Sequence, residues 1–297
     1  MGVITGLIGA IVEAWSEVRV HRTRVLLSLI GVAVAVAAIT SVVGVGQIAP
    51  STSVVVSALS DADATVDVQV IAATQDSGYM PTPVHSGLNR PDASGYTPCV
   101  RVGELIFVAG QLARDASGRL AAHGICEETD YIVRRRVLPA LEAAQSGLDL
   151  VLKAQVYLSQ PTDLPDFWER WGNVFGERMP PTTVVPLHHP AFLTSEATVE
   201  INVIAVHRSA ASRVKDLKCE TAARVFDGLL FVAGLNGDVN AKAKRIFAAA
   251  GTDLSNVVRA LYFHSRTAKP QDPGFAYSAI EIDGDPIVDL WGYTPTP

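Results

Sequence analysis

The stretch VGELIFVAGQL (residues 102–112) returns in modified form as FDGLLFVAGLN (residues 226–236). Each copy has a glycine near its start, followed by a continuous apolar run of the kind found in strands buried on both faces. Both runs end in Ala-Gly, so the same strand and the same local backbone feature occur twice. The repeat predicts two related units within one chain.

The surrounding residues predict the order of elements in the first unit. CVRVGELIFVAGQL indicates two strands around a turn, ETDYIVRRRVLPALEAAQS a helix and LVLKAQVYLS a third strand. LPDFWERWGNVFGER is amphipathic, and PTTVVPL and ATVEINVIAV add two strands. Asp130, preceded by two glutamates, predicts a helix start, and Pro139 predicts a kink or a break. The order β-β-α-β-α-β-β predicts an α+β domain with two helices packed on one sheet.

Five motifs within residues 94–206 resemble those of the RidA/YjgF family of enamine/imine deaminases: GELIFVAGQL, DASGRL, KAQVYLS, PPTTVV and VEINVIAV. The resemblance implies the chorismate-mutase-like fold and a trimeric, barrel-like homo-oligomer with a site at each interface. It also implies hydrolysis of a small 2-imino acid or enamine to a keto acid and ammonia, without a cofactor. That reaction needs a cation for the substrate carboxylate and an acid/base group that handles water.

The resemblance assigns candidate site residues one position at a time. Glu200 falls on the acidic position of the last strand and is predicted to be catalytic, positioning the attacking water. Tyr96 corresponds to a tyrosine that lines the site. Thr182 stands at the position of the carboxylate-binding arginine, and its neutral hydroxyl cannot make a charge-assisted, two-bond contact. Arg178 and His188, which lie nearby in the sequence, are the candidates for the missing positive charge.

This departure at Thr182 predicts altered or reduced deaminase activity and leaves several alternatives open. Glu200 is alternatively an ion-pair partner of a neighbouring base, and Arg178 and His188 are alternatively ordinary loop residues. Thr182 also suits a strand as a β-branched residue. Trp171 replaces an asparagine of the family. The alternative function is a RidA-like module that binds a small ligand without turning it over.

The second unit, residues 209–297, is an abbreviated version of the first, residues 94–208. Phe107 and Phe231 lie 124 residues apart, whereas Lys153 and Arg259, which occupy equivalent strands, lie 106 apart. About 18 residues before the helix are therefore missing, and the second amphipathic helix has no counterpart. Asp289 does not match the acidic position and is predicted to be structural. The second unit is predicted to complete an interface.

The amino-terminal part predicts a membrane anchor. Residues 25–46, VLLSLIGVAVAVAAITSVVGVG, carry no charge and are long enough for a transmembrane helix. Basic residues precede this run and none follows until Arg90, which places the amino terminus in the cytosol. The predicted organisation is a cytosolic lead and span in residues 1–49, then a linker in residues 50–93 with a possible strand at 64–72.

Residues 13–70 loosely resemble the start of MacB/FtsX-type ABC-transporter permeases. This resemblance makes a component of a membrane complex the third hypothesis for function. A natural or artificial fusion of the two parts remains an alternative, and without a native anchor the protein would be soluble in the cytoplasm.

Composition excludes some other classes of function. The formal net charge is −6, which disfavours a broad electrostatic surface for nucleic acid. The three cysteines are far apart and form no CxxC pair, so they do not predict a zinc or thioredoxin-like site. No metal ligand set is predicted, and the expected partner is a small imine, enamine or carbonyl compound.

Overall fold

The computed structural model describes residues 50–56, 58–59, 66–87, 97–187, 191–192, 194–265, 272–282 and 285–294. All of them belong to one compact unit, Ile48–Pro297. The predicted span at residues 25–46 lies outside the described residues, as do the candidate site residues Tyr96 and His188. Within the described ranges, none of the helices has the length and apolar character needed to cross a bilayer.

The described residues form two sheets and four α-helices. The strands are β1 (Ala58–Leu59), β2 (Thr82–Pro83), β3 (Cys99–Val102), β4 (Leu105–Gln111), β5 (Val151–Leu158), β6 (Thr182–Pro186), β7 (Val199–Val206), β8 (Lys215–Leu217), β9 (Ala223–Phe226), β10 (Leu229–Leu235), β11 (Val257–His264), β12 (Ser278–Glu281) and β13 (Ile287–Tyr293). The helices are α1 (Ile125–Ile132), α2 (Leu138–Ala143), α3 (Leu164–Phe175) and α4 (Val239–Ala249).

The first sheet has the strand order β2-β3-β4-β7-β5-β6. Strands β5 and β6 are parallel because α3 connects them, and the other neighbours are antiparallel. Helices α1, α2 and α3 cover one face, burying an apolar cluster that includes Ile132, Leu141, Phe167, Val156 and Ile201. The predicted element order and the packing of the helices on one sheet are confirmed.

The first helical region differs from the prediction in two details. It begins at Ile125, so Asp130 lies inside α1, where it pairs with Arg170 of α3. The helix does not break at Pro139. Instead, residues Val133–Val137 form a wider turn in which the Leu138 N–H donates to the Val133 carbonyl. This shift of the hydrogen-bond register directly precedes Pro139, which has no N–H to donate.

The second sheet has the order β1-β12-β11-β13-β10-β9-β8. Five neighbouring strands of this sheet repeat the arrangement of the first sheet: β9-β10-β13-β11-β12 corresponds to β3-β4-β7-β5-β6. In both sheets the last pair of this series is parallel. Helix α4 covers one face and buries Val239, Ala243, Ile246 and Phe247. It ends beside Gly251, whose φ of 75° is the left-handed conformation expected of a helix-terminating glycine.

The helix-free faces of the two sheets pack against each other. Two apolar clusters contain residues of both sheets: Tyr157, Val185, Leu187, Leu261 and Phe263 in one, and Leu152, Ile204, Val206, Phe226 and Phe231 in the other. Strand β5 is buried along its whole length because helices cover one of its faces and the second sheet covers the other. The second sheet therefore covers the face of the first sheet that the helices leave free.

The alternation at residues 64–72 did not produce the strand that it predicted. Residues 66–72, the described part, have no regular structure, and Val66, Val68 and Val70 are exposed. Alternation favours a strand only where a neighbouring strand offers hydrogen bonds and a core covers one face. Neither condition is met for this segment among the described residues.

The repeated Ala-Gly forms an irregularity at the same place in both sheets. The pairing of β4 with β7 shifts between Val108 and Gln111, and the pairing of β10 with β13 shifts between Val232 and Leu235. An extra residue in one strand bends it and redirects nearby side chains. The repeated motif therefore marks a β-bulge on each sheet, and the candidate site lies beside the first one.

Candidate functional site

Glu200 lies on β7 directly beside the bulge at Gly110. A Cβ added to Gly110 would lie 1.8 Å from the Glu200 Oε1 atom, so the carboxyl group fills the space that the missing side chain leaves. Glu200 pairs with Tyr157 of β5, and both side chains point away from the helices toward the second sheet. The glycine thus sets the position of the acid by leaving room for it.

The Glu200 side chain is almost fully removed from solvent, since the residue is 6% exposed. Burial raises the pKa of Glu200 to about 8, because a charged carboxylate is poorly solvated there. The positive charge of Arg114 and a hydrogen bond from the Ser53 backbone N–H lower the pKa and offset only part of this effect. Near neutral pH the group is therefore mostly protonated and close to its titration point, which suits acid/base chemistry.

Arg114, just after β4, is the cation that acts on Glu200. Its Nη2 donates to the Thr194 hydroxyl, while its buried Nε has no hydrogen-bond partner among the residues that the structure describes. An unpaired, buried guanidinium N–H is costly and marks a place where an acceptor is missing. Arg114 was not predicted from the sequence, because its effect on Glu200 depends on the β4–β7 register.

Residues 51–53 cover the same place. The Gly110 N–H donates to the Ser51 carbonyl at 3.1 Å and to the Thr52 hydroxyl at 3.0 Å. The amide of Asn202, two residues after Glu200, donates to the same hydroxyl at 3.1 Å. Ser53 provides the N–H that reaches Glu200. Gly110, Asn202 and Glu200 therefore each have a hydrogen-bond partner in a segment of the same chain.

The equivalent place in the second sheet holds no acid. Gln111 pairs with Ile201 in the first sheet, and its equivalent in the second sheet, Leu235, pairs with Val288. The residue just before each of these partners is therefore equivalent, so Ile287 occupies the position of Glu200. A Cβ added to Gly234 would meet the Ile287 Cδ1 atom at 2.5 Å, just as one at Gly110 would meet the acid. The second bulge therefore faces an aliphatic side chain, which cannot take part in proton transfer.

Thr182 and Glu200 point to opposite faces of the first sheet. On β5, Ala154 pairs with Thr182 and Tyr157 pairs with Glu200. Ala154 and Tyr157 are three residues apart on one strand, so they and their partners project to opposite faces of the sheet. The Thr182 hydroxyl accepts from the Trp171 indole N–H at 3.0 Å and donates to the Pro180 carbonyl at 2.8 Å. The structure thus places Thr182 under α3 and does not bring it together with the acid.

Of the remaining sequence candidates, only Arg178 is described. It is exposed in a short turn after α3, and its carbonyl accepts a hydrogen bond from Arg224 at 3.2 Å. No contact joins Arg178 to Glu200 among the described residues. Tyr96 and His188 keep the status of predictions.

Asp289 belongs to a buried ionic group between the sheets. The Lys153 Nζ atom lies 2.6 Å from its Oδ1 atom, and the Thr183 hydroxyl donates to it at 2.7 Å. Arg259, equivalent in position to Lys153, pairs with the other carboxylate oxygen and lies over the Trp291 ring. Burial alone would raise the pKa of Asp289, but these two cations outweigh it and hold the pKa at about 2. All its contacts are structural.

Within the described parts of the chain, no three His, Cys, Asp or Glu side chains are grouped closely enough to hold a metal ion. A shallow depression lies on α1, away from Glu200, and is lined by Ala122, Glu127, Asp130, Tyr131, Arg134 and Arg135. The buried acid and its surroundings are therefore the best candidate site.

Comparison with known proteins places this sheet in a family. Residues 87–207 match the family model described as Endoribonuclease L-PSP. A RutC family protein of Pyrococcus abyssi is 31% identical over 111 residues, which make up 37% of this chain and 84% of that protein. Protein HMF1 of Saccharomyces cerevisiae is 25% identical over 116 residues, or 39% of this chain and 87% of that protein.

Solved structures give similar matches. A member of the YjgF/YER057c/UK114 family from Mycobacterium tuberculosis is 28% identical and covers 43% of this chain and 99% of its own, with a TM-score of 0.37. A putative endoribonuclease from Thermotoga maritima is 26% identical with the same coverages and a TM-score of 0.39.

A six-stranded mixed sheet with helices on one face and a buried acid on β7 defines an α+β domain of the kind that the motifs predicted. The chain belongs to the RidA/YjgF family, which includes the RutC family proteins. The matched residues comprise strands β3 to β7 of the first sheet and helices α1 to α3.

Proposed function

We propose that the protein hydrolyses a small, reactive imine or enamine, with Glu200 as the acid/base group. The observation that carries this proposal is the position of Glu200, a desolvated carboxyl group beside the Gly110 bulge with a pKa of about 8. In this reaction the ionised fraction of Glu200 takes a proton from the water that attacks the C=N carbon and gives it to the nitrogen, which forms a carbinolamine. Glu200 then transfers the hydroxyl proton of the carbinolamine to its amino group, the C–N bond breaks, and a keto compound and ammonia leave.

Arg114 supports this function by supplying the positive charge that Thr182 lacks. Its buried Nε is a donor without an acceptor in the described part of the chain, and the arginine already acts electrostatically on Glu200. A guanidinium that offers N–H groups in a fork is the preferred partner of a substrate carboxylate. The proposed substrate is therefore a 2-imino acid, or its enamine, held by Arg114 with its C=N bond near Glu200. Arg178, Tyr96 and His188 stay as further candidates for substrate binding.

The test is ammonia release from freshly generated 2-iminopropanoate by the full chain. We expect Glu200→Gln to lower kcat by at least about a hundredfold, the usual contribution of an acid/base group. Glu196→Gln removes an exposed glutamate four residues away and should leave the rate unchanged. Arg114→Gln should mainly raise KM, with Arg119→Gln, an exposed arginine of the same loop, as its control. A rate equal to buffer for the unmodified protein would refute the proposal.

A second candidate function, ligand binding without turnover, is favoured by one observation. Thr182 is neutral and has its hydroxyl bonded internally, so the usual cation position contributes nothing to binding of an anionic substrate. Binding of pyruvate, the keto acid product, without any ammonia release from the imine would support this function.

The organisation of the chain is part of the same proposal. The repeated strand order supports a second, abbreviated RidA-like unit in residues 209–297. In a homo-oligomer of trimer-like form, this unit would stand where a separate subunit stands in the family. A membrane anchor at residues 25–46 would attach the assembly to a bilayer. Extraction of the protein from membranes by detergent but not by alkaline carbonate would support the anchor. Light scattering of the extracted protein tests the trimer-like homo-oligomer.

A further inference from the structure

Residues 51–56, here called the covering segment, contact the Glu200 site through hydrogen bonds to Gly110, Asn202 and Glu200. Partly buried and exposed residues alternate along it: Thr52, Val54 and Val56 are partly buried, and the residues between them are exposed. Val54 and Val56 pack against the apolar cluster between the sheets, and the Val55 N–H donates to the Ala191 carbonyl at 2.8 Å. The segment therefore has an inner face that matches the site and an outer face open to solvent.

The polar atoms on this segment resemble those of a ligand. Two oxygen acceptors, the Ser51 carbonyl and the Thr52 hydroxyl, receive the Gly110 N–H, and the hydroxyl also receives the Asn202 amide. One N–H donor, that of Ser53, is directed at Glu200. The site thus recognises an oxygen acceptor next to an N–H group. An imino or enamino acid presents the same pair of groups.

Among the described residues, the covering segment is held by hydrogen bonds and by two partly buried valines. It forms no strand with either sheet, and its two inward valines are only partly buried. Each neutral hydrogen bond contributes little net stability, because water replaces it when the segment leaves. Segments with few buried contacts and exposed backbone open at low free-energy cost. Opening and closing of this segment is therefore compatible with an intact fold.

We propose that residues 51–53 are an internal occupant of the Glu200 site, which must withdraw before a small ligand with an oxygen acceptor and an N–H group can bind. This inference rests on the proposed function only for the identity of the ligand. An occupant that closes the site most of the time lowers the apparent ligand affinity by the fraction of open molecules. A substitution that loosens the covering segment should therefore both expose Glu200 and raise the apparent affinity for the ligand.

The experiment compares Val54→Asp with Val55→Asp in the full chain. The first places a charge on the inner face, while the second places the same charge on a side chain that is 52% exposed. Glu200 is then labelled with a water-soluble carbodiimide and glycinamide, which react with accessible carboxyl groups, and the labelled site is identified by mass spectrometry. Ser53→Pro, which removes the N–H directed at Glu200, provides a second way to loosen the segment.

We expect Val54→Asp and Ser53→Pro to raise the labelling rate of Glu200 about tenfold, with Val55→Asp equal to the unmodified protein. Equal labelling in all four proteins, or an equal rise in Val55→Asp, would overturn the inference. Pyruvate should protect Glu200 in the loosened variants. If labelling rises but pyruvate gives no protection and the imine is not hydrolysed, the proposed function fails while the covering role of residues 51–53 stands.

Discussion

The Lys153 Nζ atom on the first sheet lies 2.6 Å from the Asp289 Oδ1 atom on the second, and both side chains are buried. This ion pair joins the helix-free faces of the two sheets, and the Thr183 hydroxyl donates to the same carboxylate. Arg259 completes the group from the position equivalent to Lys153. The two halves of the chain are therefore joined by one carboxylate between two cations from equivalent strands.

Asp289→Asn should lower the free energy of unfolding by about 3–5 kcal/mol, because it leaves a buried Lys153 without its counter-charge. Chemical denaturation followed by tryptophan fluorescence measures the loss. Asp285→Asn changes an exposed carboxylate in the same region and should stay within about 0.5 kcal/mol of the unmodified protein. The double variant Lys153→Met/Asp289→Leu should lose less than Asp289→Asn alone. A larger loss in the double variant would contradict this account.

Gly110→Ala should destabilise the protein by about 1–3 kcal/mol, because the new methyl group meets the Glu200 carboxyl at a distance that no side chain tolerates. Gly172→Ala is the matched control, since a Cβ there would meet only the Met179 Cε atom at 3.9 Å. In helix α3 this control should stabilise the protein by about 0.5–1 kcal/mol. Thermal unfolding of both variants gives the comparison, and equal shifts would contradict the proposed contact.

The stability of the protein should fall as pH rises from about 4.5 to 8 through the effect of Glu200. The pKa of Glu200 is raised to about 8 in the folded state. As pH rises, the unfolded chain therefore loses this proton at lower pH than the folded protein does, and the equilibrium shifts toward the unfolded state across that interval. Above pH 8 both states are ionised and the contribution is constant. The slope should approach ~1.4 kcal/mol per pH unit. In Glu200→Gln the denaturation midpoint should depend less on pH over this range than in Glu196→Gln. An equal pH dependence in the two variants would refute the raised pKa of Glu200.

Thr182→Arg should destabilise the protein instead of restoring a carboxylate-binding site. The side chain lies under α3 against Trp171, where a guanidinium would be buried without a counter-charge, at a cost of about 3–5 kcal/mol. Thr182→Val keeps the shape and loses two hydrogen bonds, with an expected cost of about 1–3 kcal/mol. A Thr182→Arg variant that is stable and releases ammonia faster would show that this face does contribute to the site.

Much of the fold of the first sheet was predictable from sequence. Alternation at Val199, Ile201 and Val203 and helical spacing in α3 reflect local periods of two and 3.6 residues, which need no tertiary information. The same patterns failed at residues 66–72, which pair with no strand in the described ranges. Glu200 was also predictable, because it follows from a motif within one strand.

The sequence by itself determined the doubled strand, the order of elements and the acid on β7. Only the tertiary structure decided that Thr182 faces α3, that Arg114 acts electrostatically on Glu200 and that residues 51–53 cover the acid. The physical reason is that local patterns specify a strand and its alternation, whereas strand register and packing decide which face is buried against which partner. Gly110 and Glu200 come together only when β4 pairs with β7, and the glycine at the bulge then leaves space for the carboxyl group.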